Sequence, residues 1–191
     1  MSVDTRSGTN TAAAYRQFAC AFDYPQAEFW DELEQAATGP PIRSKEEREA
    51  DYLAAFELGG TEPPVPLYEG LCRPADGREG IIEDLLRFYD FFGLRLRQDN
   101  RDYPDHLVCE LEFMAFLAAR EAHAAESGLD AGPYRLAQRD FLQRHLGVWL
   151  PELAQRLSRS GTVYTWLSRE LADFTRAHVG QLGVGTGGDC T

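Results

Sequence analysis

Apolar residues recur with the spacing of α-helices along almost the whole chain, and this feature limits the fold more than any other. In the first such stretch Tyr15, Phe18 and Phe22 fall on one helical face, and the stretch stops at Tyr24 and Pro25. No segment has the alternation of apolar and polar residues that is typical of a strand. The sequence therefore predicts an all-α fold, a single-domain bundle of six to eight helices.

Breaks rich in proline and glycine separate the predicted helices. A short second helix is predicted over 27–37, with Trp30 facing inward, and Ser44 and Glu47 form a capping box that begins the next helix. The helix that starts at Glu79 is apolar nearly all round, which predicts a position at the centre of the bundle. Later helices are predicted over 106–126, 132–146, 151–158 and 162–178, with a kink at 149–151.

The two ends of the chain are predicted to lie outside the bundle. Residues 1–10 are polar and residues 180–191 are rich in glycine, so both are expected to be disordered tails around a helical domain over 11–179. Residues 183–188 fit the letters of GxGxxG, but no predicted strand precedes them and no helix follows. A dinucleotide site is therefore not predicted.

Charge limits the class of partner. The formal net charge is −12 and the isoelectric point is about 4.7, so nucleic acid and anionic membranes would be repelled, whereas a partner with positive charge would be attracted. The N-terminus lacks the apolar region of a signal peptide, and no apolar run approaches the roughly 18 residues that cross a bilayer. The sequence predicts a cytoplasmic protein without membrane insertion.

The four cysteines are far apart and form no CxxC pair, which argues against a zinc ribbon or a thioredoxin motif. Cys20 and Cys109 lie in apolar helical patterns. Both are therefore predicted to be reduced core residues, as suits a reducing compartment.

A short turn around Asp105 is the first candidate site. Pro104 and Asp105 precede an apolar helix, so Asp105 is predicted to be its N-cap. His106 would then lie at the positive end of the helix, where a neighbouring groove could bind polar groups or charged side chains of a peptide. The two interpretations are compatible.

A metal site is the chemical alternative at this turn. Asp105, His106 and Glu110 could converge, because positions 106 and 110 share a helical face, and such a site would make the protein a helical metal-dependent hydrolase. The remaining histidines stand alone, with no HExxH pattern, and no GxSxG motif is present. No metal ligands and no catalytic residues are predicted, and His145 is interpreted as a half-buried packing residue.

The proline-rich segment over 63–71 is the second candidate site. Its three prolines exclude a helix and favour an extended path. One interpretation is a loop that covers the core, with Leu67 and Tyr68 facing inward. The other is a rigid loop in which Tyr68 and Glu69 offer an aromatic wall and a negative charge to an apolar peptide flanked by arginines.

Residues 103–114 carry a resemblance to a known family. Tyr103-Pro104-Asp105-His106-Leu107 and Glu110-Leu111-Glu112-Phe113-Met114 are similar to the signature E-x-P-D-H-x-x-x-E-L-x-F-M of the redox-enzyme maturation chaperones of the TorD/DmsD/NarJ type. One departure is Asp102, where the signature has glutamate. The resemblance extends over about residues 12–178 and includes weaker blocks at 15–25, 65–69, 88–94 and 145–151.

The resemblance implies a cytoplasmic chaperone rather than an enzyme. Such a protein binds the N-terminal leader, of the twin-arginine type, of a molybdoenzyme catalytic subunit and holds the apoenzyme until the cofactor is inserted, before export or assembly. It implies leader-binding roles for Tyr68, Glu69, Pro104, Asp105 and His106 and requires no cofactor of its own.

The resemblance leaves several properties of the complex open. These are the identity of the client, with selenate, chlorate, dimethyl sulfide and ethylbenzene enzymes as examples, and the choice between an exported leader and a non-exported N-terminal segment. A permanent structural subunit is a third functional class. A homodimer is allowed, since bundles of this kind can exchange helices, and the absence of a GxxxxGK[ST] loop argues against nucleotide binding.

Overall fold

The chain packs its helices around one long apolar helix. The structure, a computed structural model, describes residues 5–25, 30, 44–60, 62–96 and 103–183. These residues form eight α-helices and no β-strand, which confirms the predicted all-α bundle. The helices are α1 (Thr5–Phe22), α2 (Lys45–Tyr52), α3 (Glu69–Cys72), α4 (Arg78–Phe91), α5 (Leu107–Glu126), α6 (Gly132–Arg144), α7 (Leu146–Leu157) and α8 (Tyr164–Gly183).

Helix α5 forms the centre of the bundle. Leu107, Leu111, Met114 and Leu117 are fully buried, and α1, α6 and the segment before α3 contact different faces of this helix. Small residues on α5 allow close approach: a Cβ added at Gly8 of α1 would lie 3.2 Å from the Cβ of Ala122. Because α5 is apolar or small on most of its faces, it can be covered on several sides.

The predicted central position of α4 is wrong. Only Ile81, Leu85 and Tyr89, which are spaced by four residues, are buried on this helix, and Phe91 is 80% exposed. Helix α4 therefore covers the core with one stripe and leaves part of its apolar surface in solvent. Periodicity showed that α4 and α5 are both apolar, but it did not show which of them has neighbours on all sides.

The start of α2 agrees with the sequence prediction. The Ser44 hydroxyl accepts a hydrogen bond from the Glu47 amide, and the Glu47 carboxylate accepts one from the Ser44 amide at 2.9 Å. This reciprocal pair is the predicted capping box. At its end α2 continues into a single π-helical turn, Leu53–Glu57.

The chain changes direction at His145, between α6 and α7, and not at Pro151 as predicted. His145 has φ −121° and ψ −103°, whereas Pro151 lies inside α7. At the break a Cβ on Gly147 would lie 2.4 Å from the Leu142 carbonyl oxygen, so the close turn requires glycine at this position. Trp149 and Leu150, both buried, hold the helix in the core through the proline.

The helices extend further at both ends than the sequence predicted. Residues 5–10 and 180–183 are helical, although both segments fall in the predicted tails. The added turns have packing partners: Gly8 lies against Ala122, Leu182 is buried, and Arg135 donates a hydrogen bond to the Gln181 carbonyl at 2.7 Å. Residues 1–4 and 184–191 lie outside the described residues.

Two further predictions concern the first half of the chain. The predicted helix over 27–37 lies outside the described residues except for Trp30, which is helical and buried. The predicted burial of Cys20 is wrong, because its side chain is exposed on α1, whereas Cys109 is buried as predicted. Among the described helices, none combines the length and the apolar character that crossing a membrane requires.

A buried hydrogen bond joins the first and last helices. The Tyr15 hydroxyl lies 2.9 Å from Nδ1 of His178, and both side chains are buried. Burial, assisted by the positive charge of Arg135, lowers the pKa of His178 to about 4. The imidazole is therefore neutral in the folded protein at pH values where an exposed histidine takes up a proton.

We expect acid to destabilise the protein through His178. Between about pH 6.5 and pH 4 the unfolded chain binds a proton at this residue that the folded chain does not bind, so stability is lost as the pH falls through that window. The loss amounts to about 3 kcal/mol of unfolding free energy. Urea unfolding at several pH values measures it, and the His178→Gln variant should show a smaller decline. Identical declines in both proteins would contradict the assignment.

Candidate functional site

The proline-rich segment is fixed to the bundle along its length. Residues 63–66 form neither helix nor strand, and the Val65 amide donates a hydrogen bond of 2.8 Å to the Ala55 carbonyl in the π-helical turn. The Cys72 thiol lies 3.4 Å from the Pro66 carbonyl. Val65 and Leu67 are buried. The segment therefore covers the core, as one of the two sequence interpretations required, while Tyr68 remains partly exposed.

This segment pairs with the turn that precedes α5. The Glu69 amide donates to the Asp105 carbonyl at 2.8 Å, and the Leu107 amide donates to the Leu67 carbonyl at 2.8 Å. Tyr68 and His106 lie opposite each other in this single antiparallel bridge, with ring centroids 4.9 Å apart.

The turn is held from the other side by α4. The Tyr89 hydroxyl donates a hydrogen bond of 2.9 Å to the Pro104 carbonyl. Together with the bridge, this contact brings all five residues of the predicted site into one place, although 35 positions separate Glu69 from Pro104 in the sequence. The structure thus joins the two candidate segments into one site.

The N-cap of α5 is His106, so the predicted cap at Asp105 is wrong. His106 has extended backbone angles, and its Nδ1 accepts a hydrogen bond of 3.3 Å from the Val108 amide. Asp105 cannot serve as the cap because its carbonyl accepts the Glu69 amide and its carboxylate faces the other way, toward Arg78 and Gly70. An imidazole nitrogen thus accepts the backbone hydrogen bond that a carboxylate or hydroxyl oxygen usually accepts at the N-cap.

Arg78 neutralises Asp105. Its Nε donates to Oδ2 at 2.8 Å and its Nη2 donates to Oδ1 at 3.1 Å, and the Gly70 amide adds a third bond to Oδ2 at 3.3 Å. The Asp105 side chain is fully buried, whereas the Arg78 side chain is 31% exposed. Sequence reasoning missed Arg78, because nothing in the local pattern at position 78 indicates a partner 27 positions away.

Glu69 is neutralised in a second network. Its carboxylate, also fully buried, pairs with Arg73 and lies 2.8 Å from Nδ1 of His145. Nε2 of the same histidine lies 3.1 Å from Asp84, which also pairs with Arg144. His145 is fully buried between two carboxylates rather than half-buried. It precedes α7 and connects that helix to Asp84 of α4 and to Glu69 at the start of α3.

Glu110 is the third buried carboxylate in this region, after Asp105 and Glu69. It accepts a hydrogen bond of 3.2 Å from the Trp149 indole, and its Oε1 has no hydrogen-bond partner among the described residues. Burial raises the pKa of Glu110 well above its usual range, and the negative charge of Glu69 adds to this effect.

Because of Glu110, we expect the protein to become less stable as the pH rises. As the pH rises above the usual range of a glutamate, the unfolded chain releases a proton that the folded chain keeps, so stability is lost until the raised folded pKa is passed. Glu110→Gln cannot ionise and can still accept from Trp149. We expect its unfolding free energy, relative to the wild type, to rise as the pH increases above about 5 in urea titrations.

The exposed Glu126→Gln substitution on the same helix is the matched control, and it should show no comparable trend. A difference between Glu110→Gln and the wild type that stays constant with pH would show that the folded protein does not hold this proton.

The groups required by the hydrolase interpretation have other partners. Both oxygens of Asp105 face Arg78, Nδ1 of His106 accepts from the helix backbone, and Glu110 accepts from Trp149. The described residues contain no group of three or more histidines, cysteines or acidic residues that could hold a metal ion. The described residues therefore do not bring Asp105, His106 and Glu110 together around one ion, as the alternative interpretation required.

The surface of the site is aromatic and cationic. Glu69 and Asp105 are fully buried and Pro104 and His106 are buried, so the expected negative charge of Glu69 does not reach the surface. Tyr68 is partly exposed, Tyr103 is 55% exposed, and the guanidinium of Arg78 lies 5.2 Å and 4.7 Å from the centroids of the two rings. We call these three residues the Tyr68–Tyr103 surface.

Known proteins resemble this chain over most of its length. The family model described as nitrate reductase delta subunit matches residues 20–155. A selenate reductase assembly chaperone protein from Thauera selenatis is 47% identical over 172 residues, which cover 90% of this chain and 89% of the relative. A chlorate reductase assembly chaperone protein from Ideonella dechloratans is 45% identical over the same shares of the two chains.

The fold also has a counterpart among solved structures. A crystal structure of a protein from Archaeoglobus fulgidus, described as a candidate redox enzyme maturation protein, superposes with a TM-score of 0.58 and 17% identity, covering 86% of this chain and 93% of the other. This similarity concerns the helical fold alone, whereas the family model and the two relatives share sequence through the site. The chain belongs to the family of redox-enzyme maturation chaperones of the TorD/DmsD/NarJ type.

Proposed function

We propose that this protein is a cytoplasmic assembly chaperone for the catalytic subunit of a molybdenum-containing oxidoreductase. It binds the N-terminal leader of that subunit, a segment with a pair of arginines followed by an apolar stretch. It holds the subunit as the apoenzyme until the cofactor has been inserted, before export or assembly. No catalytic step is assigned to the chain.

The observation that carries the proposal is the pairing of the loop that ends at Glu69 with the turn that begins at Tyr103. This pairing gathers Tyr68, Glu69, Pro104, Asp105 and His106 at one end of α5. We assign direct contact with the leader to Tyr68, whose side chain is partly exposed. Glu69, Pro104, Asp105 and His106 are buried, so in the free protein they hold the pairing in place.

Charge and shape support a leader of this composition. The net charge of −12 attracts a segment with two arginines over distance. The exposed tyrosine rings offer faces for guanidinium groups and edges for apolar side chains. The names of the relatives from Thauera selenatis and Ideonella dechloratans, which refer to the assembly of reductases, support an oxidoreductase as the client.

The proposal is tested by purifying the tagged protein under native conditions from the cells that encode it. Mass spectrometry should identify one molybdoenzyme catalytic subunit, and its N-terminal leader peptides should be present. A subunit expressed without its leader should not be recovered. Equal recovery of the subunit with and without its leader would contradict leader binding.

Affinity for the synthetic leader then tests the site. Isothermal titration should show that Tyr68→Ala binds the leader about tenfold more weakly or worse, as expected when an aromatic contact at the centre of an interface is lost. Leu129→Ala removes a side chain that is 65% exposed beyond the far end of α5, so it should bind as the wild type does. Equal affinities of Tyr68→Ala and the wild type would move the site elsewhere.

A further inference from the structure

Arg78 is bound in the way that proteins bind an arginine of a ligand. A carboxylate receives two hydrogen bonds from its guanidinium, and two aromatic rings lie within 5.2 Å of the Cζ atom. Bidentate carboxylate contact and stacking on rings are the two interactions that select guanidinium over ammonium. We call Asp105, Tyr68 and Tyr103 the arginine box.

The box is built by parts of the chain that are far apart in sequence, and Arg78 enters it across Gly70. A Cβ on Gly70 would lie 2.3 Å from the Cγ of Arg78, so the missing side chain leaves the space through which the arginine stem passes. Asp105 at the bottom of the box is fully buried, while the Arg78 side chain above it is 31% exposed. Arg78 therefore lies between the buried carboxylate and solvent.

A second resident arginine behaves differently. Arg73 pairs with the buried Glu69, but it also donates to Asp76 at 2.7 Å and to the Arg144 carbonyl at 2.9 Å. It is thus tied to three groups in the protein. The hydrogen bonds described for the Arg78 guanidinium all go to Asp105. Displacement of Arg78 consequently breaks contacts with one carboxylate and two rings, each of which another guanidinium can replace.

We propose that Arg78 is an internal occupant of a guanidinium-binding site, and that an arginine of the client segment replaces it on Asp105. The identity of this ligand as part of a client rests on the proposed function, whereas the guanidinium site itself does not. In the free protein Arg78 keeps the buried carboxylate paired. When the client arginine enters, Arg78 moves into solvent and the new guanidinium takes over both hydrogen bonds and both ring contacts.

The test compares two short probes on the full chain, N-acetyl-arginyl-arginine amide and its lysine counterpart. Arg78→Ala, which opens the box, should bind the arginine probe about tenfold more tightly than the wild type does, and about tenfold more tightly than it binds the lysine probe. Arg78→Lys fills the box with a side chain that lacks the planar guanidinium. Its affinity for the arginine probe should lie between those of the wild type and Arg78→Ala. Arg87→Ala removes an exposed arginine from the same helix and should match the wild type.

Two results would overturn the proposal. One is an Arg78→Ala protein that binds the arginine probe no better than the wild type does. The other is an equal gain for the lysine probe, which would show only a change in net charge. Removal of the carboxylate as well, in Arg78→Ala with Asp105→Asn, should abolish the gain.

A measurement on the wild type covers the case in which Arg78→Ala does not fold. With arginine side chains labelled with nitrogen-15, saturation with the arginine probe should shift the Arg78 Nε–H resonance toward that of a solvated arginine. An unchanged Arg78 resonance in the complex would contradict displacement.

The outcome is separate from that of the proposed function. Selective gain in Arg78→Ala without recovery of a molybdoenzyme subunit from cells would retain the arginine box and reject the client. Recovery of the subunit without such a gain would retain the client and reject the arginine box.

Discussion

Replacement of Arg78 by alanine is expected to lower the free energy of unfolding by about 3 kcal/mol. Among the described residues, the substitution leaves the fully buried carboxylate of Asp105 with one hydrogen bond, from the Gly70 amide. An unpaired buried charge is among the most destabilising changes a single substitution can cause. The value lies at the low end of the usual range because Arg78 is partly exposed, so water can reach the space that it leaves. Urea unfolding followed by far-ultraviolet circular dichroism measures the loss.

Two further variants separate this explanation from a general effect of removing an arginine. Arg87→Ala, whose side chain is 75% exposed and 3.5 Å from Glu83, should change stability by no more than about 0.5 kcal/mol. Arg78→Met combined with Asp105→Leu removes both charges and should recover most of the loss. If Arg78→Ala and Arg87→Ala cost the same, the Asp105 pair contributes nothing beyond a surface contact.

Replacement of Trp149 by alanine should cost about 3–5 kcal/mol of unfolding free energy. The indole is fully buried on α7 and donates its N–H to Glu110 on α5, so the substitution leaves both a large cavity and a carboxyl group without its donor. The cavity lies between the central helix and the helix that follows His145. We expect the same denaturant measurement to show a lower midpoint with an unchanged slope.

Trp149→Phe distinguishes the cavity from the hydrogen bond. Phenylalanine keeps most of the apolar volume and lacks the N–H group, so its cost should be about 1–3 kcal/mol, which is the usual cost of an unmatched buried acceptor. A phenylalanine variant as unstable as the alanine variant would assign the whole effect to the polar contact, and one as stable as the wild type would remove that contact from the account.

The parts of the fold that depend only on residues close together in the sequence could be predicted from the sequence. The capping box of α2 needs only Ser44 and Glu47, which are three positions apart and meet in any helix that starts there. The stripe that includes Tyr15 and Phe22 likewise required only a helical period, and both side chains are fully buried. The helical class and the single bundle followed from the same local signals.

The errors arose where a distant contact competed with a local preference. Aspartate is a common N-cap residue, but the carboxylate of Asp105 forms an ion pair with Arg78. The side chain of His106 caps the helix instead. Proline is typical of helix ends, yet Pro151 lies inside α7. The break lies six positions earlier, at His145, next to the close contact at Gly147. Neither outcome can be read from spacing, because each depends on which helices meet.

Residue patterns and the family resemblance pointed to the two segments of the candidate site, but only three-dimensional contacts explain how the segments meet. The five residues of the predicted site do converge, but four of them are buried. The residues that complete the site and its surface are Arg78, Tyr103 and His145. Arg78 lies in no motif, Tyr103 was noted only as part of the signature, and His145 was interpreted as packing. Their roles depend on charges and rings brought from α4 and from the break before α7.

The fixed path of the proline-rich segment has a consequence for the thermodynamics of recognition. Hydrogen bonds from Val65 to the π-helical turn, and from Glu69 and Leu107 across the bridge, hold the segment on both sides of Tyr68 before any partner arrives. A partner that binds there does not have to order the loop, so little backbone entropy is lost by the chaperone on association. The ordering cost falls instead on the incoming segment, and a sequence already inclined to adopt its bound shape would be favoured over one of equal charge and hydrophobicity.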